Sequence, residues 1–383
     1  MVLLFVLSYQ AHSTDTKELT VAFAHENYDF YQIFEVFTAQ TGIKIQPAAF
    51  ASTELKVELL QRASRNQLPD AVIVPGDYIG LDEIEFSNVP TSWFLNTTGD
   101  KNKEAVKLNG QYKGIPIIAG NHLVLYYNKS LVQMPAKSWL QLKQQFGTFG
   151  SNIDTINWSY NEMYWFLPFL GAFESMPLVN DKIQLDTNGM QLAMEYYWQL
   201  EQQGIVDSSC NYNCAVERFV SSKSAYTING VWAMSHFKEE LGDNLGIALL
   251  PTIEGKPLKP YYSVHALTFP KNSASGSKSK ELEALSKFLQ SYETQRKIWS
   301  TLASLPINKQ VMEEVLNSED ANIKAVILQL EQAEAMPVSK KMAVVWEVML
   351  KGMNRYKGGV LTLEKTRSYM QYTALKSIAE FNQ

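Results

Sequence analysis

Residues 224–234 read Ser-Ala-Tyr-Thr-Ile-Asn-Gly-Val-Trp-Ala-Met. Ala225, Tyr226, Thr227 and Ile228 form the apolar, β-rich run of a short buried strand. Asn229-Gly230 interrupts it, and Val231-Trp232-Ala233-Met234 resumes at once. A strand that stops at Asn-Gly and then delivers a tryptophan predicts a strand-to-helix turn. In α/β sheets such turns lie at the carboxyl ends of strands, where ligands bind. A lone tryptophan there is more often core than site. What accompanies it decides between the two.

Working outward, the start of the chain alternates strand and helix patterns. Residues 19–23 read as a strand. Phe30, Ile33, Phe34 and Phe37 follow the i, i+3, i+4, i+7 spacing of a helix face, and Gly42 stands where a helix C-terminal glycine belongs. Residues 43–45 predict a second strand and 54–63 a second helix. Ala71-Val72-Ile73-Val74 predicts a buried strand ended by Pro75-Gly76-Asp77. This β-α-β-α-β order predicts a sheet with crossover helices.

Residues 113–117 and 123–129 read as extended, with Ala119-Gly120-Asn121-His122 between them as an expected crossing between lobes. Pro135 and Ser138 open a helix, 154–158 reads as a strand, and 161–173 is densely aromatic. Asp186 is the expected N-cap of a helix through Met190, Met194, Tyr197 and Leu200, closed by Gly204. Residues 245–250 predict a strand and 261–269 a second crossing; from 279 onward the pattern is almost wholly helical. Pro and Gly are spread evenly and no repeat or linker stands out, as fits lobes that share strands.

At 383 residues the chain exceeds one ordinary domain, so two lobes are expected. Apolar content of 46% with 19% charged residues is ordinary for a globular protein, whereas 8 Trp, 19 Tyr and 18 Phe make it rich in aromatics. A net charge of −5 without a basic block argues against nucleic acid and anionic membrane surfaces. No run approaches the ~18 apolar residues of a membrane span. Residues 2–7 are apolar, and Ala11-His12-Ser13 offers a candidate cleavage site. Residues 1–18 therefore resemble the tail of a secretory signal, without its positive start and without a cysteine for lipid attachment. Cys210 and Cys214 suit a small-loop disulfide in an oxidising compartment. Both on one helix would be poorly oriented for it, and two buried thiols are the alternative.

Catalytic and cofactor signals are weak. His25-Glu26 opens like a zinc-protease motif, but Asp29 stands where the second histidine must be. No Gly-x-Ser-x-Gly elbow or phosphate loop is present, and the cysteines lack partners for a zinc site. No cofactor and no metal are expected. Glu26, Asp77 and Glu162 lie near strand ends and leave a glycosidase pair open as an alternative.

The aromatic constellation carries more. Tyr164-Trp165 beside Glu162, Trp232 after Asn229-Gly230, and Trp346 after Met336-Pro337 sit with acids and amides. Flat C–H faces of sugars lie on aromatic rings, and their hydroxyls pair with carboxylates and amides. At these residues the chain resembles the periplasmic maltose-binding protein family, the sugar-binding components of ABC importers. The resemblance runs through Thr41-Gly42-Ile43-Lys44, Leu68-Pro69-Asp70, Pro116, Leu125-Tyr126-Tyr127-Asn128-Lys129, residues 225–233, Leu249-Leu250-Pro251, Gly255-Lys256-Pro257, Lys259-Pro260, Met336-Pro337 and Trp346.

That resemblance implies an α/β, two-lobed periplasmic-binding-protein fold of type II with the ligand in the cleft. The lobes would comprise 19–119 plus 265–303, and 120–264 plus 304–383. The implied protein is a periplasmic monomer, not an enzyme, that delivers an oligosaccharide to an inner-membrane permease. The implied site carries Trp232, Trp346, Tyr164 and Trp165 as aromatics, with Glu162, Asp77, Asn121 and, across a short gap, Glu26 as polar contacts. Val74 and Tyr78 flank Asp77 where the maltose-type pattern has an aromatic and a base, and Asn121 replaces an acid. The N-terminal half of the site therefore departs from that pattern. A secreted carbohydrate-active enzyme and a sugar sensor without transport are the alternative functions.

Overall fold

The computed structural model describes residues 17–24, 30–81, 83–302 and 304–381. The first strands form as expected. Glu18–Ala24 pairs in parallel with Lys44–Phe50 and with Ala71–Pro75. Helices Tyr31–Thr41 and Ser52–Ser64 make the crossovers. Tyr31–Thr41 buries Ile33, Phe34 and Phe37 and ends at Gly42, whose φ of 73° is the left-handed conformation glycine adopts without penalty. Phe23 meets Phe30 and Phe34 edge-on, so the strand and the helix it feeds share one aromatic core.

Tyr261–Thr268 extends this sheet, antiparallel to both Ala71–Pro75 and Gly114–Gly120. The two-residue strand Glu334–Ala335 adds in parallel at Tyr261, a strand within the stretch expected to be helical. All eight residues of Tyr261–Thr268 are buried, Ser263, His265 and Thr268 included: neighbours on both edges and layers on both faces leave the strand no wet side. Gly114–Gly120 then passes through Asn121 and His122 directly into Leu123–Asn128, a strand of the second sheet.

The second sheet has the order Leu245–Ala248, Leu123–Asn128, Ser224–Gly230, Asp154–Asn157. Ser224–Gly230 is buried throughout, antiparallel to Leu123–Asn128 and parallel to Asp154–Asn157. The largest apolar cluster packs on this sheet and takes in Trp139, Trp158, Phe166, Phe169 and Tyr197. Among the described residues, no helix is long and apolar enough to cross a membrane.

Three local expectations are corrected. Asn229-Gly230 is not the turn: both residues continue the ladder, opposite Val124 and Leu123, and helical geometry begins at Val231. The asparagine side chain accepts the Gly230 N–H, and the glycine makes room for a ring. Thr187, not Asp186, caps helix Asn188–Gln202, its hydroxyl accepting the Met190 N–H at 3.0 Å. Asp186 instead pairs with Arg367 at 3.1 Å. The strand expected over 245–250 ends at Ala248, after which Leu250 donates its N–H to the Gln329 side chain. Cys210 and Cys214 are bonded with a Cα–Cα separation of 5.3 Å. Only Cys214 lies in helix Tyr212–Val220, which removes the i, i+4 obstacle.

Candidate functional site

A cleft of about 770 Å³ opens where the carboxyl ends of strands from both sheets meet. That size lies within the ~300–1,000 Å³ range of small-molecule sites. The sequence places its lining residues just past strand ends. Asp77 follows Ala71–Pro75 in the helical turn Gly76–Gly80. Glu162, Tyr164 and Trp165 stand at the start of helix Met163–Ala172, shortly after Asp154–Asn157. Trp232 follows Ser224–Gly230, Asn121 sits at the crossing, and Trp346 comes from helix Lys341–Lys357. All seven line this one cleft. Glu26 lies outside the described residues.

Tyr164 is the centre of the aromatic wall. Its ring lies 6.2 Å from Trp232 and 6.3 Å from Trp346, centroid to centroid. All three are half-buried, so each keeps surface toward the cleft. The Tyr164 hydroxyl donates to the backbone carbonyls of Asn121 and Tyr261, one on each crossing segment. Trp165 plays a different part. It is 4% exposed, its Nε1–H donates to Ile228 O at 2.8 Å, and it meets Trp232 edge-on at 89°. It therefore stiffens the wall from behind. Trp232 lies flat over the Gly230 backbone: a Cβ on that residue would fall 2.0 Å from the indole.

Polar groups face this wall. Asp77 is exposed and lines the cleft, and the protein mass around it raises its carboxyl above the usual range despite backbone N–H donors and Lys56. Burial, then the charge of Asp77, raises the Tyr164 phenol. Glu162 accepts from Ser159 Oγ at 2.8 Å and sits at the N-terminus of its helix, where the dipole favours a carboxylate. Glu347, ion-paired with Lys351 outside the lining, adds a third acid, and no lysine or arginine is among the described lining residues. Burial lowers His265 to about 4, which leaves it neutral at pH 7. The cleft thus offers aromatic faces and hydrogen-bond acceptors in an anionic field. Among the described residues, no group of His, Cys, Asp and Glu is arranged to hold a metal.

Sequence reasoning missed several lining residues. His265 lies at a β-bulge, where the ladder to Gly114–Gly120 shifts register between His265 and Ala266. Bulges re-aim side chains beside sites, and a histidine inside an apolar strand was the available signal. Ala343, Glu347 and Leu350 share the cleft-facing side of the Trp346 helix, and helical spacing would have found them. Tyr78 also lines the cleft, beside Asp77.

Two sheets joined through crossing strands, with an aromatic, acid-rimmed cleft at their meeting edge, define a two-lobed solute-binding protein. The chain belongs to the bacterial extracellular solute-binding protein family, whose pattern matches residues 32–325, and it is an exported protein. It is similar to a maltooligosaccharide ABC transporter solute-binding lipoprotein of Streptococcus pneumoniae, at 26% identity over 88% of this chain and 82% of that one. It is also similar to a maltotriose-binding protein of Pyrococcus abyssi, at 27% identity over 73% of this chain and 64% of that one. A maltodextrin-binding protein of Bacillus subtilis is 22% identical over 87% of this chain and 84% of its own.

Proposed function

We propose that this chain is the periplasmic, monomeric solute-binding component of an ABC importer for a neutral oligosaccharide of the maltodextrin type, which it hands to a membrane permease. The observation that carries this is the wall of Tyr164, Trp232 and Trp346 facing Asp77 and Glu162, with no lysine or arginine among the described lining residues. Aromatic faces take the C–H sides of pyranose rings, and carboxylates and Asn121 take the hydroxyls. The anionic field disfavours phosphorylated or acidic sugars. The relatives named for maltooligosaccharide, maltotriose and maltodextrin support the same ligand class. The enzyme and sensor alternatives have no comparable support.

In this proposal the lobes are 19–119 plus 265–303, and 120–264 plus 304–383. Ligand closes them about the crossings, because contacts from both sides favour the closed state. Tyr164, bonded to both crossing segments, is well placed to register that closure. The test is a thermal-shift screen of the purified protein against neutral, amino and acidic sugars, followed by calorimetry. A ligand at one hundred times its Kd adds about 2.7 kcal/mol of stability. Maltotriose and longer maltodextrins should raise the melting temperature and remain chemically unchanged. Stabilisation by acidic sugars alone, or turnover of the ligand, would refute the proposal.

A further inference from the structure

We infer that Tyr212, enclosed by the Cys210–Cys214 disulfide, is a positioning residue for the ligand-facing indole of Trp232, and that the disulfide holds it there. The inference rests on the proposal that Trp232 stacks on a sugar.

Tyr212 is not among the residues lining the cleft; it stands behind them. Its hydroxyl oxygen accepts the Trp232 Nε1–H at 3.1 Å. Its ring packs against Trp165 with centroids 6.1 Å apart. Trp232 is thus held on three sides: Gly230 beneath it, the edge of Trp165 beside it, and Tyr212 at its only polar atom. With the N–H engaged, the indole offers the ligand a ring and no donor.

The main chain of Tyr212 is itself fixed from both directions. The disulfide encloses only residues 211–213. The Asn211 side chain accepts the Cys214 N–H at 3.0 Å, capping the helix that begins at Tyr212. The Cys210 N–H donates to Asp207 O, and the Asp207 carboxylate meets Arg218 of the same helix at 3.1 Å. The same loop touches the cleft a second time, where Asn161 Nδ2 donates to Ser208 O at 2.8 Å.

A general stabilising role explains the bond poorly. Loop-closure stabilisation grows with loop length, and a sequence separation of 4 lies at the small end. What this bond does secure is the place of one phenol hydroxyl. Immobilising a stacking side chain before the ligand arrives removes an ordering cost from binding, and so tightens it.

The test uses the full chain, with maltotriose as the probe. Tyr212→Phe keeps the ring and removes the hydroxyl. It should leave the apo melting temperature within a degree or so of the native value and weaken maltotriose binding about 3–10-fold, the size expected for freeing one ordered side chain. In a Trp232→Phe background, which has no indole N–H, the same change should cost nothing further. In the apo protein, the ¹⁵N-labelled indole resonance that Trp232→Phe deletes should shift on Tyr212→Phe, and shift likewise in Cys210→Ala/Cys214→Ala. An unmoved indole resonance would overturn the inference. So would an equal affinity loss in both backgrounds, or a lowered melting temperature with unchanged affinity. If the native protein binds neither maltotriose nor any other sugar, the sugar proposal fails by itself, and the apo resonance still decides whether Tyr212 positions Trp232.

Discussion

Gly230→Ala tests the site without touching a ligand contact. Gly230 has φ −77° and ψ 159°, a conformation alanine adopts freely, so the backbone gives no reason for strain. The obstacle is the Trp232 indole, which would lie 2.0 Å from the new Cβ. Carbon atoms settle about 3.5–4.0 Å apart, so the ring must withdraw by roughly 1.5–2 Å. Such a shift breaks the 3.1 Å bond from Trp232 Nε1–H to Tyr212, worth about 0.5–1.5 kcal/mol net. Because Trp232 is half-buried and borders the cleft, it can move toward open space. The stability cost should therefore fall at the low end of the ~1–3 kcal/mol typical of overpacking. Binding should suffer more. Displacing a stacking ring that is worth ~2 kcal/mol in place should cost about 1–2 kcal/mol of affinity, roughly 5–30-fold. The assay pairs calorimetry with maltotriose and apo melting by near-ultraviolet circular dichroism, whose tryptophan bands report the ring. Native affinity together with a lowered melting temperature would refute the reasoning, for Trp232 would then be packing alone.

Other outcomes follow from the same geometry. Trp232→Ala should weaken sugar binding by ~2 kcal/mol or more, about thirtyfold, as measured by calorimetry. Its apo stability should fall by less than the 3–5 kcal/mol of a fully buried tryptophan, checked by denaturant titration. Asp77→Asn should raise the apo melting temperature at pH 7. The folded-state pKa of Asp77 is raised, so the native fold holds its proton longer than the unfolded chain and loses stability as pH rises through the ordinary carboxylate range. The advantage of the variant should vanish on acidification below that range, and a constant advantage at every pH would count against the assignment. His122 is buried, with Nε2 on Val326 O at 2.9 Å, and its pKa is lowered to about 4. The unfolded chain therefore binds more protons between about 6.5 and 4, and stability should fall as pH drops through that window. A melting profile that His122→Gln leaves equally steep there would show that this histidine is not a source.

Much of the architecture was legible because it is local. The i, i+3, i+4, i+7 spacing of Phe30, Ile33, Phe34 and Phe37 is a helix face whatever it packs on, and Gly42 ends that helix for a reason internal to glycine. Continuous apolar runs at 71–74 and 225–228 mark strands without a wet face. Cys210 and Cys214 could be suspected of pairing from spacing alone, but their pairing depended on Cys210 lying outside the helix. The types of Asp77, Glu162, Tyr164, Trp165 and Trp232, aromatic or acidic and shortly past strand ends, were also readable.

Tertiary structure decided what those residues are for. Asn229-Gly230 looks like a turn in one dimension, because the partners that keep it extended, Val124 and Leu123, are over one hundred positions away. Its glycine is explained by the Trp232 ring lying across it, a contact set by side-chain placement and not by sequence spacing. His265 reaches the cleft because a bulge shifts its ladder, and a bulge is a property of a strand pair. Sequence by itself determined elements with fixed periods and a set of ring and carboxylate side chains. Only the fold determined that Tyr164 lies within 6.3 Å of both Trp232 and Trp346 and that Asp77 lines the same cleft with its carboxyl pKa raised. The physical reason is range: backbone conformation and amphipathic patterning act between near neighbours, whereas stacking geometry and desolvation depend on which distant strands lie side by side.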